Sequence, residues 1–143
     1  MATTVERRTL REGLEQPSIV ITDATSQPPV LAGQKILAGT IAMLSTVTGK
    51  VIAAVSGTAN TRLLGVAEAT YDATGLVDKN FNQVYLRGAF YLDGKAGDLP
   101  VAANIGGLVA INDNCSVKAT IAMNDVTVKL LGISGNQFKC ELV

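Results

Sequence analysis

Thr40-Ile41-Ala42-Met43-Leu44-Ser45-Thr46-Val47-Thr48-Gly49-Lys50-Val51-Ile52-Ala53-Ala54-Val55 reads as a β-hairpin. Two apolar runs flank the polar stretch Ser45 to Gly49. The Gly49-Lys50 step suits the end of a short loop that needs one residue with φ > 0. Ser56 to Thr61 is a polar turn after it. Arg62 to Thr70 reads as the next strand, with Gly65 inside it as a bulge or a point of close backbone approach.

The same grammar extends in both directions. Ser18-Ile19-Val20-Ile21-Thr22 reads as a strand, and Gln27-Pro28-Pro29 punctuates the chain after it. Downstream, the polar loop Asp72 to Asn82 leads into one long strand, Gln83 to Asp93, which holds Tyr85, Phe90 and Tyr91. Asp93-Gly94-Lys95 is a turn signal. Further strands read at Leu108 to Asn112, Ser116 to Ile121, Val126 to Ile133 and Gln137 to Leu142. Short strands at this spacing imply an all-β fold, a small β-barrel or β-sandwich of about 8–10 strands. Residues 17–143 form a single β domain on this reading.

A weak internal repeat runs through it. Arg62-Leu63-Leu64-Gly65-Val66 echoes Lys129-Leu130-Leu131-Gly132-Ile133, and Thr40-Ile41-Ala42-Met43-Leu44 echoes Leu108-Val109-Ala110-Ile111-Asn112 at nearly the same offset. Two related β units, about 29–72 and 100–143, would account for it.

Residues 1–16 differ in kind. Glu6, Arg7, Arg8, Arg11, Glu12 and Glu15 crowd this segment, while the whole chain is only 17% charged. Thr9-Leu10-Arg11-Glu12 fits a capping box, and Leu10 and Leu14 stand four apart, which allows one or two turns of helix. Helix that short is marginal alone. The expectation is a flexible N-terminal arm that orders on a partner, with Arg7, Arg8, Leu10, Arg11 and Leu14 as its contact residues.

Composition excludes much chemistry. The chain of 143 residues has no His and no Trp, and its 12 basic and 12 acidic residues cancel. Without His, the commonest general base and the Ser-His and Cys-His pairs are gone. With no net charge, there is no global field to draw nucleic acid or an anionic membrane. The two cysteines, Cys115 and Cys140, cannot make a structural zinc site alone and read as small buried hydrophobes in reduced form. No apolar run is long enough to span a membrane, and Met1 to Gln16 lacks a leader pattern. The glycines never fall in a phosphate-binding spacing, and no serine sits in a nucleophile elbow. Asp72, Asp78, Asp93, Asp98, Asp113 and Asp125 are scattered as turn residues. The aromatics Tyr85, Phe90 and Tyr91 could form a base-stacking platform, but only Arg87 accompanies them, and core packing fits better. No cofactor, metal or catalytic residue is expected.

Pro29-Val30-Leu31-Ala32-Gly33 through Gly39-Thr40-Ile41-Ala42-Met43, then Thr48-Gly49-Lys50-Val51, then Leu63-Leu64-Gly65-Val66-Ala67, resembles the head decoration (capsid cement) proteins of tailed bacteriophages. Tyr85 to Leu92, Asp93-Gly94, and Leu131-Gly132-Ile133 to Leu142 are similar to the second half of those chains. The charged arm and the polar insert Asp72 to Asn82 depart from the shortest members. The resemblance implies a structural virion protein, often a homotrimer, made in the host cytoplasm and bound to the capsid exterior. Its partners would be the major capsid protein and further copies of itself, and it would stabilise the lattice without catalysis. Three other readings stand beside it. One is another β-rich phage part, a head fibre base or tail subunit. The second is a trimeric β-barrel enzyme built on Asp93, Asp98 and Asp113. The third is a ligand-binding or lectin-like module, which the scarcity of aromatics disfavours.

Overall fold

The computed structural model describes residues 11–12, 18–20, 29–67, 69–75, 84–86 and 88–142. In chain order the strands are β1 (Arg11–Glu12), β2 (Ser18–Val20), β3 (Lys35–Ile36), β4 (Ile41–Ser45), β5 (Lys50–Ala53), β6 (Thr61–Ala67) and β7 (Tyr71–Asp72). They continue as β8 (Val84–Leu86), β9 (Gly88–Gly94), β10 (Leu108–Ile111), β11 (Ser116–Lys118), β12 (Thr127–Ser134) and β13 (Gln137–Leu142). Ala102–Asn104 makes a single 3-10 turn, and the fold is all-β.

Five strands close a barrel. β9 pairs with β11, β11 with β10, β10 with β12, β12 with β13, and β13 returns to β9. Only β9–β11 is parallel. The closing register sets Phe90 opposite Cys140 and Gly88 opposite Leu142. Side chains alternate along each strand, so every second residue points inward. Phe90 and Leu92, Val109 and Ile111, Val117, Val128 and Leu130, and Phe138, Cys140 and Leu142 fill the interior.

The second sheet runs β2-β8-β6-β4-β5. β4 is buried on both faces. Ile41 and Met43 join the barrel core with Val66, while Ala42 joins a second cluster with Val30, Ile36, Val51, Ala67 and Ala73. The small pair β3–β7 flanks that second cluster, matching Ile36 with Tyr71. Three contacts fasten the sheet to one end of the barrel. The Ile41 N–H donates to the Asn114 carbonyl at 2.8 Å, Val55 bridges Asp113, and the Gly57 N–H donates to Asp125 Oδ1 at 2.8 Å.

The hairpin at 40–55 forms as β4 and β5, and Gly49 takes φ +69° in its turn. Gly65 is a bulge point. The register steps from Ala42 opposite Gly65 to Met43 opposite Leu63, leaving Leu64 extra, and Gly65 takes φ 141°. The related Leu130-Leu131-Gly132 also bulges at its second leucine, with Leu130 opposite Cys140 and Gly132 opposite Lys139. The two segments pair differently. β6 bulges against β4, and β12 bulges against β13.

Two expectations need correction. The stretch 83–93 is not one strand, because β8 belongs to the sheet and β9 to the barrel. Gly88 has φ 130°, a backbone state L side chains rarely adopt, and there the chain leaves one sheet for the other. The second concerns Arg11 and Glu12, which are strand, not helix, and pair with Phe90 and Ala89. Along β9, β11 reaches only Asp93 and Gly94, so the backbone at 89–90 offers a second edge. Strand pairing there satisfies more backbone groups than two isolated helical turns would. The rest of the arm, Met1 to Leu10 and Gly13 to Gln16, lies outside the described residues.

Candidate interaction surface

Each carboxylate weighed as a catalytic candidate is engaged by its own surroundings. Asp98 accepts from the Thr120 N–H through both oxygens at 3.2 Å and from Thr120 Oγ1 at 3.0 Å, joining two loops. Asp93 accepts from Gln137 Nε2 at 2.7 Å. Asp113 accepts from the Cys115 N–H at 3.0 Å, from Ser116 Oγ at 2.7 Å and from Cys115 Sγ at 3.4 Å. Burial raises the Asp113 pKa, but those donors outweigh it and the net shift is downward. Asp98 and Asp113 hold loops, while Asp93 lies in β9 and ties it to Gln137 of β13. Among the described residues, no group of three or more acidic or cysteine side chains could hold a metal ion.

Asp125 joins the barrel to the sheet. Its Oδ1 accepts from the Gly57 N–H and its Oδ2 from the Ala122 N–H, both at 2.8 Å. Lys118 Nζ lies 3.0 Å from Oδ2, with the Lys118 side chain 11% exposed and the Asp125 side chain 0%. Burial pushes its pKa up, and the two N–H groups with the Lys118 ammonium bring it below the ordinary value. This pair locks the 119–125 loop to both barrel and sheet.

The cysteines sit apart in role. Cys115 belongs to the Asp113 turn. Cys140 faces the barrel interior, where burial pushes its thiol up to about 12. Neither forms a disulfide, and both are buried. Phe90 is a core residue and Tyr91 is half-buried on the opposite face of β9, so these two do not share a stacking surface.

Among the arm residues expected to bind a partner, the structure places only the backbone of Arg11, beside Phe90. Arg7, Arg8, Leu10 and Leu14 lie outside the described residues.

The barrel end away from the sheet carries a feature not anticipated in the sequence. The β9–β10 connection leaves Leu99, Val101, Ile105 and Leu108 exposed, with Val101 at 57% and Leu108 at 55%. Ile121 is also exposed; Met123, 85% exposed, lies further along that loop, next to the Asp125 contact with Gly57. The hydrogen-bonded pair Asp98–Thr120 brings the two loops side by side, so Leu99 and Ile121 each leave the same junction. The register of β10 on β11, Ala110 opposite Lys118, carries Leu108 toward Thr120.

These loops are held in place. The Gly106 N–H donates to the Leu130 carbonyl at 2.8 Å, and the Leu130 N–H donates to the Gly107 carbonyl at 3.0 Å. Asn104 Oδ1 accepts from the Val101 N–H at 2.8 Å and caps the 3-10 turn. Gly94 underlies the loop. A Cβ there would lie 2.5 Å from Leu99 Cδ2 and from Phe138 Cε2. Gly94 thus permits close packing at a strand end, and the turn itself follows at Lys95–Asp98.

The available signal was the run 99–112, which carries no charged residue. Its composition matches buried strand, and only the structure shows that its first ten residues mostly face outward. Compared with known protein families, with characterised proteins and with solved structures, the chain matches none.

Proposed function

We propose that this chain is a structural virion protein that decorates the outside of a tailed-phage capsid and stabilises its lattice, acting as a homotrimer without catalysis. The observation that carries this reading is the outward-facing apolar barrel end on a hydrogen-bonded frame. Such a surface suits permanent contact with other protein and is unfavourable on a solitary molecule. The carboxylates give further support, because Asp93, Asp98 and Asp113 each hold local structure and no two of these three are shown meeting at a shared site. The sequence resemblance to capsid cement proteins supplies the identity of the partner, the major capsid protein. A cement function needs many modest contacts per copy, and symmetry multiplies them.

The test is on particles. A lysate containing them is separated on a density gradient, and the chain is quantified across fractions by mass spectrometry. Co-migration with full heads, at a copy number comparable to the major shell protein, is the expected result. A few copies per particle would move the reading to a fibre or tail part, and recovery only in the soluble fraction would overturn it.

A further inference from the structure

We propose that β1 is a latch in cis: the arm segment Arg11–Glu12 is clipped to the edge of β9 and must come off before the arm can dock elsewhere. The consequence for shell binding rests on the proposed function, and the latch itself does not.

The first argument is topology. A closed barrel normally leaves no strand edge. Here β13 pairs with β9 from Gly88 to Asp93, but on the other side β11 takes only Asp93 and Gly94. β1 lies antiparallel on part of the stretch left over, with Arg11 opposite Phe90 and Glu12 opposite Ala89. The ring of β9, β11, β10, β12 and β13 closes without it. β1 can therefore leave while the barrel stays shut.

The second argument is which backbone groups β1 serves. Successive residues of a strand turn their N–H groups to opposite sides. The Asp93 N–H donates to the Cys115 carbonyl at 3.1 Å, so the Ala89 N–H faces that same side, and those of Phe90 and Leu92 face β13. β1 thus covers the Ala89 amide and leaves the β13 ladder untouched.

The third argument is strength. A two-residue pairing holds about two interstrand hydrogen bonds, each worth roughly twofold to tenfold in equilibrium once competition from water is counted. Glu12 faces Ala89, and both residue types are depleted in strands. Ordering the arm backbone costs part of the gain. The latch is therefore open roughly one part in ten to one in a hundred, whereas a folded domain opens about one part in a thousand or less. A partner that needs the free arm binds more weakly by that open fraction.

Hydrogen exchange on the full chain tests the latch. The Ala89 amide should exchange roughly tenfold to a hundredfold slower than free chain. The Phe90, Leu92 and Asp93 amides should be slowed about a thousandfold or more, because they wait for the barrel to open. Asp93 is the internal control, since its N–H faces the same side as that of Ala89 but bonds to the residue preceding β11. Protection of Ala89 equal to that of Asp93 would overturn the proposal. So would an Ala89 amide with no protection at all.

Pinning the latch tests its consequence. Glu12→Cys with Ala89→Cys sets two thiols at opposed positions, whose Cα atoms in an antiparallel ladder stand about 4.5–5.5 Å apart, within disulfide reach. Cys115 and Cys140 are buried, away from this bond. The oxidised protein should bind purified shells at least about tenfold more weakly than the reduced form, and reductant should restore binding. Equal affinity of the two forms would overturn the latch. If the wild type binds no shells, the shell reading falls and the exchange pattern alone decides the latch. The same pattern decides it if the pinned variant does not fold.

Discussion

Asp125→Ala should be among the most damaging single changes outside the barrel interior. The Asp125 side chain is 0% exposed and the Lys118 side chain 11%, with 3.0 Å between their charged atoms. Removing the carboxylate leaves the ammonium of Lys118 enclosed without its counter-charge, which typically costs about 3–5 kcal/mol. The N–H groups of Gly57 and Ala122 lose their acceptor as well, but both lie in exposed loops where water can replace it. The expected loss is therefore about 3–5 kcal/mol, a fall in Tm of roughly 10–17 °C for a domain of this size. Urea titration of both proteins measures it. Lys118→Met placed in the Asp125→Ala background should recover most of the loss, because no unpaired charge remains. The pH dependence follows the same bond. Asp125 has a lowered folded pKa, so its contribution is complete above the unfolded carboxylate value of 3.8 and disappears as pH falls through the folded value. Acid unfolding should be less steep in the variant. A change below about 1 kcal/mol, the value of an exposed pair, would refute the buried-lock account.

Other outcomes follow from named contacts. Gly94→Ala forces a methyl against Leu99 and Phe138 and should destabilise by about 1–3 kcal/mol in thermal melts. Cys140 should resist a thiol reagent at pH 8 in the folded protein and react at once on unfolding, because burial holds its thiol near 12. Its raised value also means stability declines as pH climbs above the unfolded thiol value of 9.0 toward 12, readable as a falling Tm. Deleting residues 1–16 should keep the melt cooperative, since the closed barrel is built from β9 to β13, and should weaken binding to purified shells. Equal binding by the truncated chain would remove the arm from the docking account.

The hairpin at 40–55 was legible because its chemistry is local, a glycine at φ > 0 between two apolar runs. The bulge at Gly65 and the strands from 108 to 142 were legible for the same reason. The closure of the barrel was not, since Phe90 meets Cys140 fifty positions further along the chain and nothing in either segment names the other. Strands such as Lys35–Ile36 and Tyr71–Asp72 are too short to leave a periodic trace. The break within 83–93 depends on one glycine whose φ is set by which sheet each side joins. The apolar end at 99–108 was hidden for a different reason. Val, Ile and Leu read the same in a sequence whether they line a core or await a partner.

The return of β13 to β9 also orders events during synthesis. The sheet strands β2 to β8 all leave the ribosome before the barrel strands, and they can pair as they emerge. The barrel waits for Gln137–Leu142, the last strand in chain order, and until then β9 keeps an open seam beside Phe90 and Leu92. Folding of this half is therefore a late step dominated by long-range pairing, the slow kind. In that interval the exposed interior is the segment most vulnerable to aggregation, so expression at lower temperature should favour soluble protein.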